Sequence, residues 1–261
     1  MKLAVAQTDP SFGEKKSNVK TALQLMETVS ADMYVLPELF NTGYNFTDAH
    51  EVERLAEPVN GEAFQGLSPF AKKRACYIVY GFAEKENGNL YNSAALIGPD
   101  GLCGLYRKVH LYYREMLFFT PGDMGFPVFD LPFGRVGIMI CFDWMFPESA
   151  RTLAVNGAEL IAHPSNLVMP YCPDAMVTRC LENRVFSATA NRIGREDRGG
   201  VDLTYIGKSE IVSPGGEILS RLHETEAGIG MMEVDLRQAS NKSINQYNHL
   251  LNDRKPSQYT K

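Results

Sequence analysis

Cys141 is the residue whose sequence surroundings most favour chemistry. The apolar run over residues 136–141 predicts a buried strand, and Pro147 predicts the start of a helix, because proline fits the first helical turn. A thiol between a strand and a helix lies near backbone N–H groups without partners, which would lower its pKa and could hold an oxyanion. Since free cysteines are commonly buried and inert, Cys141 alone would indicate only a core residue.

Two other polar residues follow apolar runs in the same way. Glu38 lies between Leu36 and Leu39 at the end of a short apolar strand. Such a setting should raise the pKa of a carboxylate, as a general base working near neutrality requires. Lys108 follows another predicted strand and precedes an aromatic-rich loop. Together with Cys141, these residues provide a base, a cation and a nucleophilic thiol.

Strands and helices alternate along the chain and must carry these side chains. The predicted strands are residues 2–7, 33–36, 77–84, 90–97, 102–106, 136–141, 159–162, 186–191, 207–213, 217–222 and 228–234. The predicted helices are residues 14–29, 147–157 and 174–184, and the predicted loops are residues 109–127 and 163–166. Without a repeat or a linker, this pattern predicts a mixed α/β fold and one domain over residues 1–261.

Composition agrees with a globular enzyme. The chain has 261 residues, 44% of them hydrophobic, and a formal net charge of -5 without a long basic run, so nucleic-acid binding has little electrostatic support. Five cysteines without paired spacing favour a reducing compartment over a disulfide scaffold. No apolar stretch is long enough for a membrane span, and residues 1–5 predict a strand rather than a signal peptide. A cytoplasmic enzyme is therefore expected, with neither nucleic acid nor membrane as a partner.

A thiol–imidazole pair is another chemistry that Cys141 could provide. His110 and His163 are candidates for the imidazole, and thiol proteases use such a pair. No protease signature surrounds Cys141, which makes Glu38 the better candidate for the base. The five histidines are dispersed and no Cys/His cluster has metal-ligand spacing, so neither a metal nor another cofactor is predicted.

The three contexts together resemble the motifs of the nitrilase superfamily of carbon–nitrogen hydrolases. Leu-Pro-Glu38 is similar to its glutamate motif, Tyr-Arg-Lys108-Val-His-Leu to its lysine motif, and Cys141-Phe-Asp-Trp-Met-Phe-Pro-Glu to its cysteine motif. Glu115, seven residues after Lys108, resembles a second glutamate that many members place beside the triad. The three motifs occur in the right order, and the resemblance covers nearly the whole chain.

The resemblance implies that Glu38, Lys108 and Cys141 form a catalytic triad. Cys141 would attack the carbon of an amide or nitrile while Glu38 takes the thiol proton. Lys108 and the backbone N–H of Phe142 would stabilise the developing negative charge. Ammonia would leave, and water activated by Glu38 would hydrolyse the remaining thioester on Cys141. The reaction would need no metal or organic cofactor.

Glu115 and several aromatic residues complete the predicted site. Glu115 would orient Lys108 or the incoming group, although a structural ion pair with Arg107 or Arg114 is an equally open alternative. The predicted substrate-binding residues, each of which could equally serve packing, are Tyr44, Tyr112, Tyr113, Trp144 and Asn166. They imply a small substrate that is mostly apolar or neutral.

The sequence at the nucleophile favours an amide substrate. True nitrilases usually have Cys-Trp-Glu there, whereas Cys-Phe-Asp143 is closer to the amide-hydrolysing branches, although some short members with Cys-Phe-Asp-Trp are assigned as nitrilases. Carbamoyl-D-amino-acid hydrolases have an Arg pair in place of Trp-Met145. Carbamoylputrescine amidases have a segment like residues 118–126 but usually a longer loop than residues 108–115. A short aliphatic amide is therefore expected, with an aliphatic nitrile or an N-carbamoyl compound as alternatives.

The resemblance also implies a fold and an assembly. The fold would be a four-layer α-β-β-α sandwich, and two copies would form a homodimer through helices that follow the cysteine and the Asn166 loop. Residues 236–261 would be a tail docked on the partner, and a frayed terminus is the alternative. A non-catalytic binding protein on the same scaffold would have a broken triad, so the intact triad favours an enzyme.

Overall fold

The computed structural model describes residues 1–259, which form fourteen β-strands and six α-helices. The strands are Lys2–Gln7 (β1), Met33–Val35 (β2), Tyr77–Glu86 (β3), Asn89–Gly98 (β4), Gly101–Arg107 (β5), Val128–Leu131 (β6), Gly134–Ile138 (β7), Leu160–Ser165 (β8), Phe186–Asn191 (β9), Arg195–Arg198 (β10), Val201–Thr204 (β11), Glu210–Val212 (β12), Ile218–Arg221 (β13) and Gly228–Glu233 (β14). The α-helices are Lys15–Met26 (α1), Ala49–Leu55 (α2), Glu62–Arg74 (α3), Glu115–Phe118 (α4), Pro147–Val155 (α5) and Cys172–Asn183 (α6). Three short 3-10 helices span Cys141–Met145, Leu236–Ala239 and Pro256–Gln258.

Twelve of the strands form two six-stranded sheets. The first sheet has the order β14-β1-β2-β3-β4-β5 and the second has the order β13-β12-β9-β8-β7-β6. Each sheet has a parallel centre, β1-β2-β3 in the first and β7-β8-β9 in the second. The remaining strands, β10 and β11, form a separate antiparallel hairpin. The outer strands of both sheets are antiparallel, so within each sheet the helical crossovers connect only the parallel central strands.

Alternate residues of the central strands point into two different cores. Leu3 and Val5 of β1 pack with Ile138 of β7 in a cluster between the sheets, and this cluster extends to α5 and α6. Ala4 and Ala6 point to the opposite face, where they pack with α1 and α3. Because successive side chains of a strand point to opposite faces, burial on both faces requires a layer on each side. The result is the four-layer α-β-β-α sandwich expected from the resemblance.

The sequence predicted most of these elements but misplaced several ends. The strand before the nucleophile ends at Ile138, and Cys141 itself begins a 3-10 helix. The strand predicted over residues 159–162 continues to Ser165, so most of the predicted loop at residues 163–166 is strand β8. Of the strand predicted over residues 207–213, only Glu210–Val212 (β12) forms a strand. Helices α2 and α3, strand β6 and the β10–β11 hairpin were not predicted, and the predicted loop at residues 109–127 contains the short helix α4.

The chain after β14 packs against the helices of the same chain. Lys242 is buried, and its Nζ donates to the backbone oxygens of Asn183 at 3.0 Å and Arg184 at 2.7 Å. These oxygens lie at the end of α6, where carbonyl groups lack helical partners. Docking of residues 236–261 on a second copy stays a prediction, and residues 260–261 lie outside the described residues. Between residues 1 and 259, no helix is long and apolar enough to cross a membrane.

Candidate active site

Glu38, Lys108 and Glu115 form a buried cluster. Lys108 Nζ donates to Glu38 Oε1 at 2.7 Å and to Glu115 Oε1 at 2.8 Å. Asn92 Nδ2 donates to the same Glu38 oxygen at 2.7 Å. Glu38 Oε2 is buried and has no hydrogen-bond partner within residues 1–259. One carboxylate oxygen is therefore held in place, and the other is free to accept a proton.

The backbone around Glu38 is fixed against strand β3. Gly81 N–H donates to the Pro37 oxygen and Phe40 N–H donates to the Gly81 oxygen, both at 3.1 Å. The two backbone segments approach so closely that a Cβ on Gly81 would lie 2.5 Å from the Glu38 Cα. Leu39 has a φ of 47°, in the left-handed region that residues with side chains rarely adopt. The close approach and the turn together direct the Glu38 side chain toward Lys108.

Cys141 occupies a strained turn at the first position of its 3-10 helix. Its φ is 40°, and its side chain is buried beside the Glu38–Lys108 cluster. The N–H groups in the first turn of a helix have no partner within that helix, so the N–H of Phe142 is available to an oxyanion. Backbone strain of this kind persists only where the surrounding structure imposes it.

Burial sets the protonation states at the site. Loss of solvent raises the pKa of Glu38 to about 7, against the opposing effect of Lys108, which confirms the predicted rise. Burial favours the neutral form of Lys108, but the Glu115 and Glu38 carboxylates outweigh it and raise the pKa of Lys108. Burial, followed by the Glu38 charge, raises the pKa of Cys141 well above its usual value. The predicted lowering of the thiol pKa is therefore wrong, because burial and the Glu38 charge outweigh Lys108 and the backbone of Asn166, which lower the pKa.

Glu115 contacts Lys108 rather than either neighbouring arginine. Tyr44 Oη donates to Glu115 Oε1 at 2.5 Å, the same oxygen that accepts from Lys108. Arg107 pairs instead with Glu84, at 2.6 Å. Arg114 donates to the backbone oxygen of Gly199 at 3.1 Å. The alternative in which Glu115 forms a structural ion pair with an arginine is therefore wrong.

Asp143 joins the nucleophile turn to the lysine segment, a role that the sequence did not reveal. Its Oδ2 accepts from Tyr106 Oη at 2.7 Å and from Ile140 N–H at 2.8 Å. Its Oδ1 is 2.8 Å from His110 Nδ1. Asp143 is buried, and both of its carboxylate oxygens are taken up by these contacts. The Cys-Phe-Asp pattern thus describes how the turn is held.

His163 does not form a thiol–imidazole pair with Cys141. Its Nε2 lies 3.0 Å from the backbone oxygen of Cys141, and its Nδ1 lies 3.0 Å from Thr189 Oγ1. Burial lowers the pKa of His163 to about 4, so the ring is neutral near pH 7. His110 is bound to Asp143. The imidazole nearest the nucleophile therefore supports its backbone and leaves the thiol to Glu38.

A narrow cavity of about 10 Å³, roughly the space for one water molecule, opens beside Cys141. Its lining residues are Tyr112, Cys141, Phe142, Trp144, Asn166, Leu167, Val168 and Met169. Three of the predicted substrate-binding residues, Tyr112, Trp144 and Asn166, are among them. Tyr44 and Tyr113 instead line a neighbouring cavity with Glu115, and Tyr113 is largely exposed. The apolar residues after Asn166 were not predicted, although they follow the end of strand β8.

Asn166 connects the cavity to the base. Its Nδ2 donates to the backbone oxygen of Glu38 at 2.9 Å, and its backbone N–H faces the thiol of Cys141. Its Oδ1 is buried without a hydrogen-bond partner within the described chain. Within residues 1–259, no group of three or more His, Cys, Asp or Glu side chains is arranged to hold a metal ion.

The chain belongs to the carbon–nitrogen hydrolase family, whose model matches residues 2–242. It is therefore an enzyme that hydrolyses carbon–nitrogen bonds, and the resemblance to the nitrilase superfamily is confirmed. The alternative of a non-catalytic binding protein on the same scaffold predicted a broken triad, whereas Glu38, Lys108 and Cys141 are all present and lie together.

Individual relatives and structural neighbours are named both nitrilase and amidase. The chain is 51% identical over 263 residues to a nitrilase from Pyrococcus abyssi, with 99% of each chain covered. It is 34% identical over 243 residues to an (R)-stereoselective amidase from Pseudomonas sp, covering 91% of this chain and 86% of the amidase. An amidase from Nesterenkonia sp. has a similar crystal structure, with a TM-score of 0.82, 25% identity and 98% and 94% coverage. A mutant of a Nesterenkonia amidase, with a TM-score of 0.80, 25% identity and 98% and 97% coverage, carries acrylamide added at its active-site cysteine.

Proposed function

We propose that this enzyme hydrolyses small, uncharged aliphatic amides to ammonia and a carboxylic acid through a thioester on Cys141. The observation that carries the proposal is the buried cluster of Glu38, Lys108 and Glu115 beside the Cys141 thiol. It combines a base that titrates near neutrality with a fixed cation, next to a nucleophile at a helix start. An ammonia-release screen of short amides, nitriles and carbamoyl compounds tests the proposal.

The first half of the reaction is attack by the thiol. Because the pKa of Cys141 is raised, the thiol is neutral at rest and transfers its proton to Glu38 as the C–S bond forms. Lys108 and the N–H of Phe142 stabilise the charge on the former carbonyl oxygen. The proton on Glu38 then passes to the leaving nitrogen. Ammonia departs, and the acyl group stays on Cys141 as a thioester.

The second half is hydrolysis of that thioester. Glu38, again deprotonated, takes a proton from a water molecule as the water attacks the acyl carbon. The same oxyanion contacts stabilise the second tetrahedral intermediate. Collapse of that intermediate breaks the C–S bond, and the proton on Glu38 returns to Cys141. One water is consumed for each amide, and the products are one carboxylic acid and one ammonia.

The cavity lining supports a small, uncharged acyl group. Its side chains beyond Cys141 are aromatic, aliphatic or an amide, so they provide no charge for a substrate ammonium or carboxylate. Carbamoylputrescine carries an ammonium and carbamoyl amino acids carry a carboxylate, and each would lose solvation here without an ionic partner. This mismatch makes N-carbamoyl compounds the least favoured of the three substrate classes.

A small aliphatic nitrile is the second candidate, favoured by the 51% identity to a protein named nitrilase. Thiolate attack on a nitrile gives a thioimidate, which must add water before ammonia can leave. An amide gives an oxyanion at once, the charge that Lys108 and the Phe142 N–H can stabilise.

All five cysteines are free thiols, which supports a reducing compartment for either reaction.

The choice between amide and nitrile predicts a difference in kinetics. We expect a higher kcat/KM for a short aliphatic amide than for the nitrile of equal chain length, because only the amide develops the oxyanion in its first step. The measurement is ammonia release from matched pairs such as propionamide and propionitrile, with the Cys141→Ala variant as the blank. A consistent preference for the nitrile, with release of the acid rather than the amide, would make nitrile hydrolysis the function.

The pKa of Glu38 predicts the acid limb of the pH profile. Because the base must be deprotonated, kcat/KM should be level above pH 7 and should fall about tenfold for each pH unit below that value. His110 lies beside the nucleophile turn, where its Nδ1 is 2.8 Å from Asp143 Oδ1, so a His110→Gln variant serves as the control. A limb that persists in that variant does not come from His110, which supports Glu38 as its source. A profile that stays level down to pH 5 would contradict the raised pKa.

A further inference from the structure

A buried carboxylate on the β10–β11 hairpin holds the chain segment that carries Tyr44. Glu196 Oε2 accepts from the backbone N–H groups of Tyr44 at 3.2 Å and Asn45 at 2.7 Å. It also accepts from Tyr205 Oη at 2.9 Å, and its Oε1 accepts from Arg192 Nη1 at 2.5 Å. Glu196 is nearly inaccessible to solvent. Four donor groups therefore converge on one carboxylate, and two of them belong to the backbone of residues 44–45.

The hairpin and this segment also bind each other in the reverse direction. Asn45 Nδ2 donates to the backbone oxygens of Glu196 at 3.1 Å and Val201 at 2.8 Å. Gly43 precedes the segment with a φ of 80°, and a Cβ there would lie 2.7 Å from Glu196 Oε1. The carboxylate thus approaches the backbone as closely as only glycine permits. The position of the segment is fixed by contacts to the hairpin on several sides.

The same segment is one step from the reacting groups. The Tyr44 hydroxyl donates to Glu115 Oε1, and this oxygen also accepts from Lys108 Nζ at 2.8 Å. Lys108 Nζ then donates to Glu38 at 2.7 Å. Each link is buried, where hydrogen bonds to charged groups are strongest. A continuous series of contacts therefore runs from the hairpin to the base.

We propose that Glu196 is a positioning residue, which fixes residues 44–45 so that the Tyr44 hydroxyl holds Glu115 against Lys108. The proposal rests on the proposed function, because it assigns Glu196 a role in the same reaction. Glu196 does not touch the substrate or the reacting atoms. A purely structural ion pair with Arg192 is the competing explanation. It predicts a loss of stability without any change in the chemistry at Cys141.

The Glu196→Gln variant separates the two explanations. Its amide NH₂ would face the N–H and O–H groups that donate hydrogen bonds to the carboxylate. Residues 44–45 would therefore move, and the Tyr44 hydroxyl would leave Glu115. We expect kcat to fall about 100-fold with little change in KM, as misplacement of about 1 Å can cause. We also expect the acid limb to move to lower pH, because water admitted beside Glu38 reverses the effect of its burial.

Two further variants, one conservative and one a matched control, complete the test. Glu196→Asp retains the charge but shortens the side chain, so it should fold and give a smaller loss with the same direction of pH shift. Glu210→Gln is the matched control, because Glu210 is also a buried carboxylate paired with an arginine, Arg221 at 2.7 Å, but lies outside the site. It should lower the unfolding temperature and leave kcat and the acid limb unchanged. An acid limb that moves equally in the Glu210 variant would overturn the proposal.

A double-mutant cycle with Tyr44→Phe tests whether Glu196 acts on the reaction through Tyr44. If Glu196 acts through Tyr44, the double variant should be no slower than Tyr44→Phe alone, since neighbours in one network are not additive. Losses that multiply, or full kcat in Glu196→Gln, would overturn the proposal.

The rate of Cys141 alkylation by acrylamide, measured as a function of pH, is a readout that needs no turnover. If the wild type releases no ammonia from any substrate, the proposed function fails, but slower alkylation in Glu196→Gln still supports the positioning role.

Discussion

Replacement of Cys141 by alanine should reduce ammonia release by more than about 10⁴-fold, the scale of loss when a covalent nucleophile is removed. No other thiol can replace it, because Cys141 is the one cysteine within residues 1–259 that lies beside the Glu38–Lys108 cluster. The substitution removes a single sulfur atom from a small, buried side chain, so we expect an intact fold and only a small change in unfolding temperature. Ammonia release and thermal unfolding of the purified variant are the two measurements.

Cys172→Ala is the matched control for this experiment. Cys172 is also buried with a raised pKa and lies on α6 outside the cavity, so its variant should retain full turnover. Substantial ammonia release by the Cys141→Ala variant would contradict the thioester mechanism. Release lost equally in both variants would indicate that a general loss of folding had caused the effect.

Alkylation tests independently whether Cys141 is the nucleophile. The sequence alone favours Cys141 as the one cysteine that reacts rapidly, but Cys103 is exposed on β5 and is open to any reagent. A small reagent that resembles an amide, such as acrylamide, should therefore be used, with the Cys103→Ser variant to remove the background. Label found first on Cys76 or Cys172 would contradict the assignment of Cys141 as the nucleophile.

The sequence located the reacting groups because each follows an apolar strand. Glu38, Lys108 and Cys141 come after β2, β5 and β7, and the sandwich brings these strand ends together. The expectation that Glu38 has a raised pKa also followed from its apolar neighbours. What a one-dimensional pattern could not give was the balance at the Cys141 thiol between burial, which raises its pKa, and Lys108 and the Asn166 backbone, which lower it. That balance depends on the Glu38 charge and on residues far apart in the chain.

The elements that the sequence missed have local sequences that argue against the structures they form. Helix α3 contains Pro69 and Gly66, two residues that normally argue against a helix, and packing of Leu67 and Phe70 in the core overrides them. The β10–β11 hairpin consists largely of charged residues, so it lacks the apolar alternation of a strand. Its hydrogen bonds to residues 44–45 become visible only in three dimensions.

Lys108→Arg should be nearly as inactive as Lys108→Ala, although it keeps the positive charge. Lys108 is enclosed, and its Nζ donates to two carboxylates at 2.7 and 2.8 Å. Arginine is longer and planar, so its guanidinium cannot occupy the position of a single ammonium group without displacing Glu38 or Glu115. Lys108→Ala leaves two carboxylates buried without their cation, which should cost about 3–5 kcal/mol of unfolding free energy. It should also raise the pKa of Glu38, because Lys108 opposes that rise.

Lys15→Arg is the matched control, since Lys15 also binds two carboxylates, Glu57 at 2.5 Å and Glu62 at 3.2 Å, outside the site. It is near the surface, so an arginine has room there and turnover should be unchanged. Measurement of kcat, KM and unfolding temperature for the three variants distinguishes two roles for Lys108. If Lys108 supplies only positive potential, the arginine variant will retain near-wild-type kcat. If it must place one ammonium between Glu38, Glu115 and the oxyanion, kcat will collapse in both Lys108 variants and persist in Lys15→Arg.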